Sequence, residues 1–138
     1  MSTQSKMTEH ADRRIWNLES YEVTYLHIDD RFAFDCLHAN NQLTVVIEIP
    51  FELRRTGQTI LCNPTDVNSL KEAISILHKR LNSLTAFRDG RLLLTFLDGT
   101  EISVSRDPQC ESWEVRGEGE LENLAFLCSP HEGPPWKE

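Results

Sequence analysis

The chain has 138 residues, with 22 acidic against 14 basic side chains for a formal net charge of −8. One domain suits that length, and a protein that neutralises nucleic-acid phosphates needs the opposite charge balance, so nucleic acid is excluded as a partner. Apolar residues make up 39%, enough for a modest core, and no apolar run approaches the roughly 18 residues needed to span a bilayer. The first fifteen residues lack the apolar stretch of a secretion signal. Cys36, Cys62, Cys110 and Cys128 form no Cys-x-x-Cys pair. This usage predicts reduced thiols and a cytoplasmic location.

Residues 1–13 are polar and without periodicity, which predicts a disordered leader. From Ile15 the pattern is that of strands. Val23 to Ile28 is rich in β-branched and aromatic residues, and Asp29-Asp30 supplies a turn. Phe32, Phe34 and Cys36 alternate with Arg31, Ala33 and Asp35, giving one apolar face. Asn40-Asn41 is expected to turn the chain, because Asn tolerates positive φ. Leu43 to Ile49 reads as a strand buried on both faces, and Pro50 marks its end, an edge or a bulge.

Val67, Leu70, Ala73, Ile74, Leu77 and Leu81 recur at three- and four-residue intervals and predict one main helix over about 67–81. Ser69-Leu70-Lys71-Glu72 fits a capping box, with Thr65 or Asp66 as the alternative cap. Beyond it Leu92, Leu94 and Phe96 alternate with polar and aliphatic neighbours. Asp98-Gly99 predicts a two-residue type I′ hairpin turn, and Ile102 and Val104 continue the return strand. Trp113 and Val115 belong to another strand, and Leu121 to Cys128 to a last one. Trp113 is expected to pack in the core, whereas Trp16 and Trp136 are expected at exposed positions. Residues 129–138 read as a loose tail.

The two halves resemble each other. Asp29 to Leu37 lies sixty residues before Asp89 to Leu97, and both carry Asp-x-Arg. Leu43 and Val45 align with Ile102 and Val104, with one fewer residue in the second turn. Phe51-Glu52-Leu53 aligns with Trp113-Glu114-Val115. The predicted fold is α+β and β-dominated: two similar antiparallel meanders from an internal duplication, in one domain over residues 15–128, covered by the helix.

Catalytic signatures are absent: there is no glycine-rich phosphate loop, Gly-x-Ser-x-Gly elbow or His-Glu-x-x-His. His27, His38 and a cysteine lack metal-ligand spacing, and Glu111 and Glu114 face opposite sides of a strand. No catalytic residue, metal or cofactor is therefore assigned, and the protein is read as non-enzymatic. What remains is charge. Residues 98–122 hold eight acids and two bases. This segment is either a solvated face or a surface for a basic partner. Asp98, Glu101, Glu111, Glu118, Glu120 and Glu122 are the candidate partner-binding residues. Arg116-Gly117-Glu118-Gly119-Glu120-Leu121 reads as a flexible, exposed loop.

Asp89-Gly90-Arg91-Leu92, Phe96-Leu97-Asp98-Gly99-Thr100 and Glu111-Ser112-Trp113-Glu114-Val115, with Ile49-Pro50-Phe51-Glu52-Leu53 earlier, resemble a pattern in a family of small bacterial α+β proteins of uncharacterised role. Some members of such families look like immunity proteins of polymorphic toxin systems. The resemblance spans about residues 15–128 and carries no catalytic residue. It implies a cytoplasmic immunity protein that neutralises a cognate toxin by direct binding, and the concentrated acidic charge fits a basic one. A small-ligand-binding β domain, a weakly marked enzyme, or a structural subunit of a larger assembly are the alternatives. The oligomeric state is left open.

Overall fold

The computed structural model describes residues 7–130 and 133–136. Twelve strands form two antiparallel sheets that face each other across one apolar core. They are β1 (Met7–Glu9), β2 (Arg13–Asn17), β3 (Glu22–Ile28), β4 (Phe32–His38), β5 (Asn41–Ile47), β6 (Phe51–Arg55), β7 (Gln58–Cys62), β8 (Leu81–Phe87), β9 (Leu92–Phe96), β10 (Glu101–Val104), β11 (Trp113–Glu118) and β12 (Ala125–Cys128). The larger sheet runs β1-β2-β8-β9-β10-β6-β7 and the smaller β12-β11-β5-β4-β3. Period-two alternation explains the layering. Phe32, Phe34, Cys36, Leu43, Val45 and Ile47 point inward from the smaller sheet, and Leu84, Leu92, Leu94, Ile102 and Leu53 from the larger. Val46 is half-buried on the outer face, so β5 is covered on one side and not on both.

The chain changes sheet three times among the described residues, first between β2 and β3. β3-β4-β5 is a meander in the smaller sheet; the chain then crosses at Pro50, and β6-β7 joins the larger sheet beside β10. β8-β9-β10 is a meander in the larger sheet, and β11-β12 crosses back to lie beside β5. Pro50, with no amide to donate, falls between strands where no ladder partner is required. Both meanders carry a register shift at the same point, between Val23 and Tyr25 and between Leu81 and Ser83. Asp30 and Gly90, one residue before the paired arginines, both have positive φ. The register moves one alignment: Phe34 pairs with Val45 and Leu94 with Ile102, so Val45 and Ile47 occupy the places of Ile102 and Val104. The β4–β5 hairpin is therefore three residues longer than β9–β10 between these pairs, not one.

The predicted helix over 67–81 is not formed. Val67–Leu70 and Ala73–Ile76 are separate 3-10 turns, and Leu81 opens β8. Leu70, Ala73 and Ile76 are fully buried while Ile74 and Leu77 are exposed. Three-residue spacing fits the 3-10 period, and the core selects those three side chains rather than a 3.6-residue stripe. Asp66 caps the first turn through a 3.2 Å bond from the Asn68 amide. His78 at φ +73 ends the helical stretch, and its amide bonds to the Val23 carbonyl, drawing residues 78–80 into the edge of β3.

Other expectations are corrected too. Met7–Glu9 is a strand paired with β2 where a disordered leader was expected; residues 1–6 lie outside the described residues. Residues 133–136 are anchored rather than loose, because Trp136 buries itself on Phe126 and stacks on Arg14, and the Leu127 amide bonds to the Pro135 carbonyl. The remainder of the expected tail, 131–132 and 137–138, lies outside the described residues. Trp16 is buried against Phe126 as well. The β4–β5 turn places its positive φ on Ala39 and not on an asparagine. At Asp98-Gly99 only Gly99 has positive φ, so the turn is not type I′; Thr56-Gly57, with φ of 41 and 76, has that geometry instead. Among the described residues no helix is long and apolar enough to cross a membrane.

Candidate functional site

The pairing register places four of the hairpin turns at one end of the sandwich, while the β1–β2, β3–β4 and β8–β9 turns lie at the other. Gln42 opposes Glu118, which sets the β4–β5 and β11–β12 turns side by side. Arg54 opposes Glu101, which does the same for β6–β7 and β9–β10. The two sets share an end because the Leu81 amide bonds to the Tyr21 carbonyl and the Tyr21 hydroxyl reaches Glu120. The crossings at residues 48–50 and 105–112 lie at the other end, and the one at 18–21 lies at this end.

Five of the six candidate acids therefore gather at the hairpin end, and Glu111 does not. Glu111 precedes β11 at the crossing end, while Glu118 closes the strand. The five-residue step from Trp113 to Glu118 alone separates them by about 17 Å. Glu111 cannot share one small contact patch with the others.

The five divide by sheet. On the larger sheet the acids are neutralised. Asp98 pairs with the Lys79 ammonium and accepts the Thr100 amide at 2.9 Å, and these partners hold its carboxyl at about 2. Glu101 lies 3.9 Å from Arg54, which also holds Glu52 at 3.2 Å. On the smaller sheet Glu118 and Glu122 are exposed and pair with no cation among the described residues.

The predicted flexible loop is a built corner. β11 extends through Glu118, and Gly119–Leu121 forms a 3-10 turn. Leu121 and Leu124 are buried beneath it. A Cβ on Gly117 would overlap the Leu121 carbonyl oxygen, and one on Gly119 would overlap the Asn41 side chain. These glycines permit close approach, not motion. Asn41 Oδ1 accepts the Glu120 amide at 2.8 Å, and the Glu120 carboxylate accepts the Tyr21 hydroxyl at 2.7 Å. Burial, with Glu120 beside it, pushes the Tyr21 phenol far above its ordinary range, so Tyr21 remains a donor. Glu120 is thus a fixed strut with a carboxylate, and Glu118 and Glu122 project on either side of it. Tyr21 was not singled out from the sequence, and Asn41 only as a turn residue. Only the long-range pairing of residue 21 with 120 and of 41 with 120 gives them their role.

The histidines do not converge. His27 pairs with Asp29 at 3.2 Å on the outer face, and His38 packs on the Tyr21 ring. No group of three His, Cys, Asp or Glu side chains among the described residues is arranged to hold a metal. Cys36, Cys62 and Cys128 are buried and Cys110 is exposed; all four are free thiols. Burial raises the Cys36 and Cys62 thiols above their ordinary range, which suits packing more than nucleophilic chemistry. Trp113 is fully buried and donates from Nε1 to the Gly90 carbonyl at 2.8 Å, tying the start of β11 to the β8–β9 turn.

A surface groove of about 630 Å³ runs along β12 between Arg14, Arg116 and the 134–136 segment. A neighbouring one of about 460 Å³ is lined by Arg88, Arg91 and Arg106 together with Asp12 and Asp89. The arginines there have partners of their own. Arg91 binds Asp89, Arg106 donates to the Gly133 carbonyl, and Arg116 holds Glu114.

No curated protein and no solved structure matches the chain. A family model does match, over residues 15–133, which is most of the chain and includes both meanders and the acidic corner. The chain belongs to that family, described as a family of unknown function (DUF6188).

Proposed function

We propose that this is a non-enzymatic binding protein that engages a basic partner protein through the acidic corner at Glu118, Glu120 and Glu122. The single observation that carries the reading is the corner's construction. Three carboxylates stand on one short turn that Asn41, Tyr21 and two close-packed glycines hold in place. A preordered surface loses little conformational entropy on binding, and the exposed charges of Glu118 and Glu122 speed encounter with a partner of opposite sign. Asp98 and Glu101 lie at the same end but are engaged with Lys79 and Arg54, so they frame the surface more than they drive association. Glu111 belongs to a different part of the molecule and drops out of this interface.

The partner class that fits best is a toxin domain acting on nucleic acid, because such enzymes carry basic surfaces for a polyanionic substrate. In this reading the protein is a cytoplasmic immunity protein. The four free thiols, three of them buried, are compatible with a reducing compartment. The common path of the two halves, with its shared register shifts and shared Asp-x-Arg turns, supports an internal duplication in which each copy lends a hairpin to the other's sheet.

The test is co-expression with the product of the adjacent gene. Wild-type protein is expected to protect the host, and Glu118→Lys/Glu122→Lys to fail while remaining folded. Equal protection by both would remove the acidic corner from the interface.

A further inference from the structure

The two sheets end in four edge strands, and three of them are guarded. β1 spans three residues among the described residues. β12 is covered where the Leu127 amide bonds to the Pro135 carbonyl. β3 is bridged by residues 78–80 over its first turns, carries a register shift at Thr24 and bears His27 farther along. Short strands, covering segments and irregular register are the usual means by which edges avoid pairing with other chains.

β7 has none of these. Its sequence, Gln58-Thr59-Ile60-Leu61-Cys62, contains no charge, proline or glycine, and its register with β6 is unbroken. Gln58 opposes Arg55 across the two-residue turn, so Gln58, Ile60 and Cys62 bond toward β6. The amides and carbonyls of Thr59 and Leu61 therefore point away from the sheet, and no backbone partner for them exists among the described residues. Leu61 is 68% exposed on the outer face, and Val67, in the turn that packs next to β7, is 64% exposed.

We infer that β7 is a dimerisation edge, pairing antiparallel with β7 of a second copy of this chain about a two-fold axis at Ile60. Self-complementarity selects the second copy. With Ile60 opposite its own symmetry mate, Thr59 of each chain exchanges two backbone hydrogen bonds with Leu61 of the other, and all the outward-facing groups are satisfied. On the outer face Glu52 stands beside Leu61 and Arg54 beside Thr59. The two-fold then sets the glutamate end of one row against the arginine end of the other. The join also brings together uncharged strands in a chain of net charge −8, where most other faces would repel a copy. The two larger sheets become one continuous sheet, an isologous arrangement that closes and does not propagate.

The experiment is light scattering on the full chain during size exclusion, with hydrogen exchange read at the Thr59 and Leu61 amides. Wild type is expected to be a dimer with both amides protected. Leu61→Lys brings two ammonium groups near the axis, and Thr59→Pro removes an outward amide that no intrachain bond uses. Both are expected to run as monomers with unchanged far-ultraviolet circular dichroism. A monomeric wild type, a dimer whose Thr59 and Leu61 amides exchange freely, or a folded Leu61→Lys dimer would each overturn the assignment. The exchange measurement on wild type decides the matter even where a variant fails to fold.

Discussion

The hairpins β6–β7 and β11–β12 occupy equivalent places, each crossing to the opposite sheet to lie beside the other half's meander. They are finished in opposite ways. β6–β7 turns on two residues, Thr56-Gly57, and leaves its outer edge bare. β11–β12 turns through a 3-10 segment that carries Glu120 and is flanked by Glu118 and Glu122, and its outer edge is covered at Pro135. The strands between them carry the same inward apolar alternation, so the common framework is set by core packing. Chemistry that differs between the halves sits in the turns and edges, where packing constrains side chains least. In the proposed readings the acidic turn meets a foreign basic partner and the bare edge meets a second copy of the chain.

The difference between the turns is measurable in their glycines. Gly117→Val forces a side chain into the Leu121 backbone and is expected to destabilise the fold by about 3 kcal/mol in urea unfolding. An unchanged midpoint would show that the corner is loose. The segment closing the first half makes a second contrast. Ile76→Ala empties a fully buried site and should cost about 2–3 kcal/mol, whereas Ile74→Ala, exposed one turn position away, should shift the midpoint little. Equal costs would restore a continuous helix with a 3.6-residue stripe. Gly57→Ala meets open space but sits at φ +76, and it should cost about 1 kcal/mol.

The smallest effect lies in the pH dependence. The Lys79 partnership holds the Asp98 carboxyl at about 2, below its ordinary 3.8. The contribution is therefore complete above about pH 4 and is lost as the pH falls toward 2. The side chain is nearly half exposed, so screening limits the contribution to about 0.5 kcal/mol. Asp98→Asn should flatten that part of the acid limb, and a limb identical to wild type would show that the ion pair contributes nothing.

Local patterns predicted the strands well because inward alternation is a period-two property that survives without tertiary knowledge. Phe32, Phe34 and Cys36 were legible in this way, as was the similarity of Phe51-Glu52-Leu53 to Trp113-Glu114-Val115. The segment at 67–81 was not, since Leu70, Ala73 and Ile76 fit both a helix and a run of 3-10 turns, and only the space between the sheets distinguishes them. The exchange of hairpins between sheets was equally hidden, because β5–β11 and β6–β10 pair residues far apart in sequence. For the candidate site, charge density picked out acids of which five share one end of the molecule, but not the structure they stand on. Gly-Glu-Gly-Glu reads as flexible until the Leu121 carbonyl and Asn41 are seen to occupy the space beside the glycines. Glu111 was included because it is near in sequence, and strand geometry carries it to the opposite end.

The central claim is that the β11–β12 corner is a recognition surface for a basic protein. The most direct measurement is the association rate with the co-expressed partner at low and high salt, for wild type and for Glu118→Lys/Glu122→Lys. The account predicts fast association for wild type that slows steeply with salt, and slow, nearly salt-independent association for the variant, with both proteins equally folded. Identical rates and identical salt dependence for the two would contradict it.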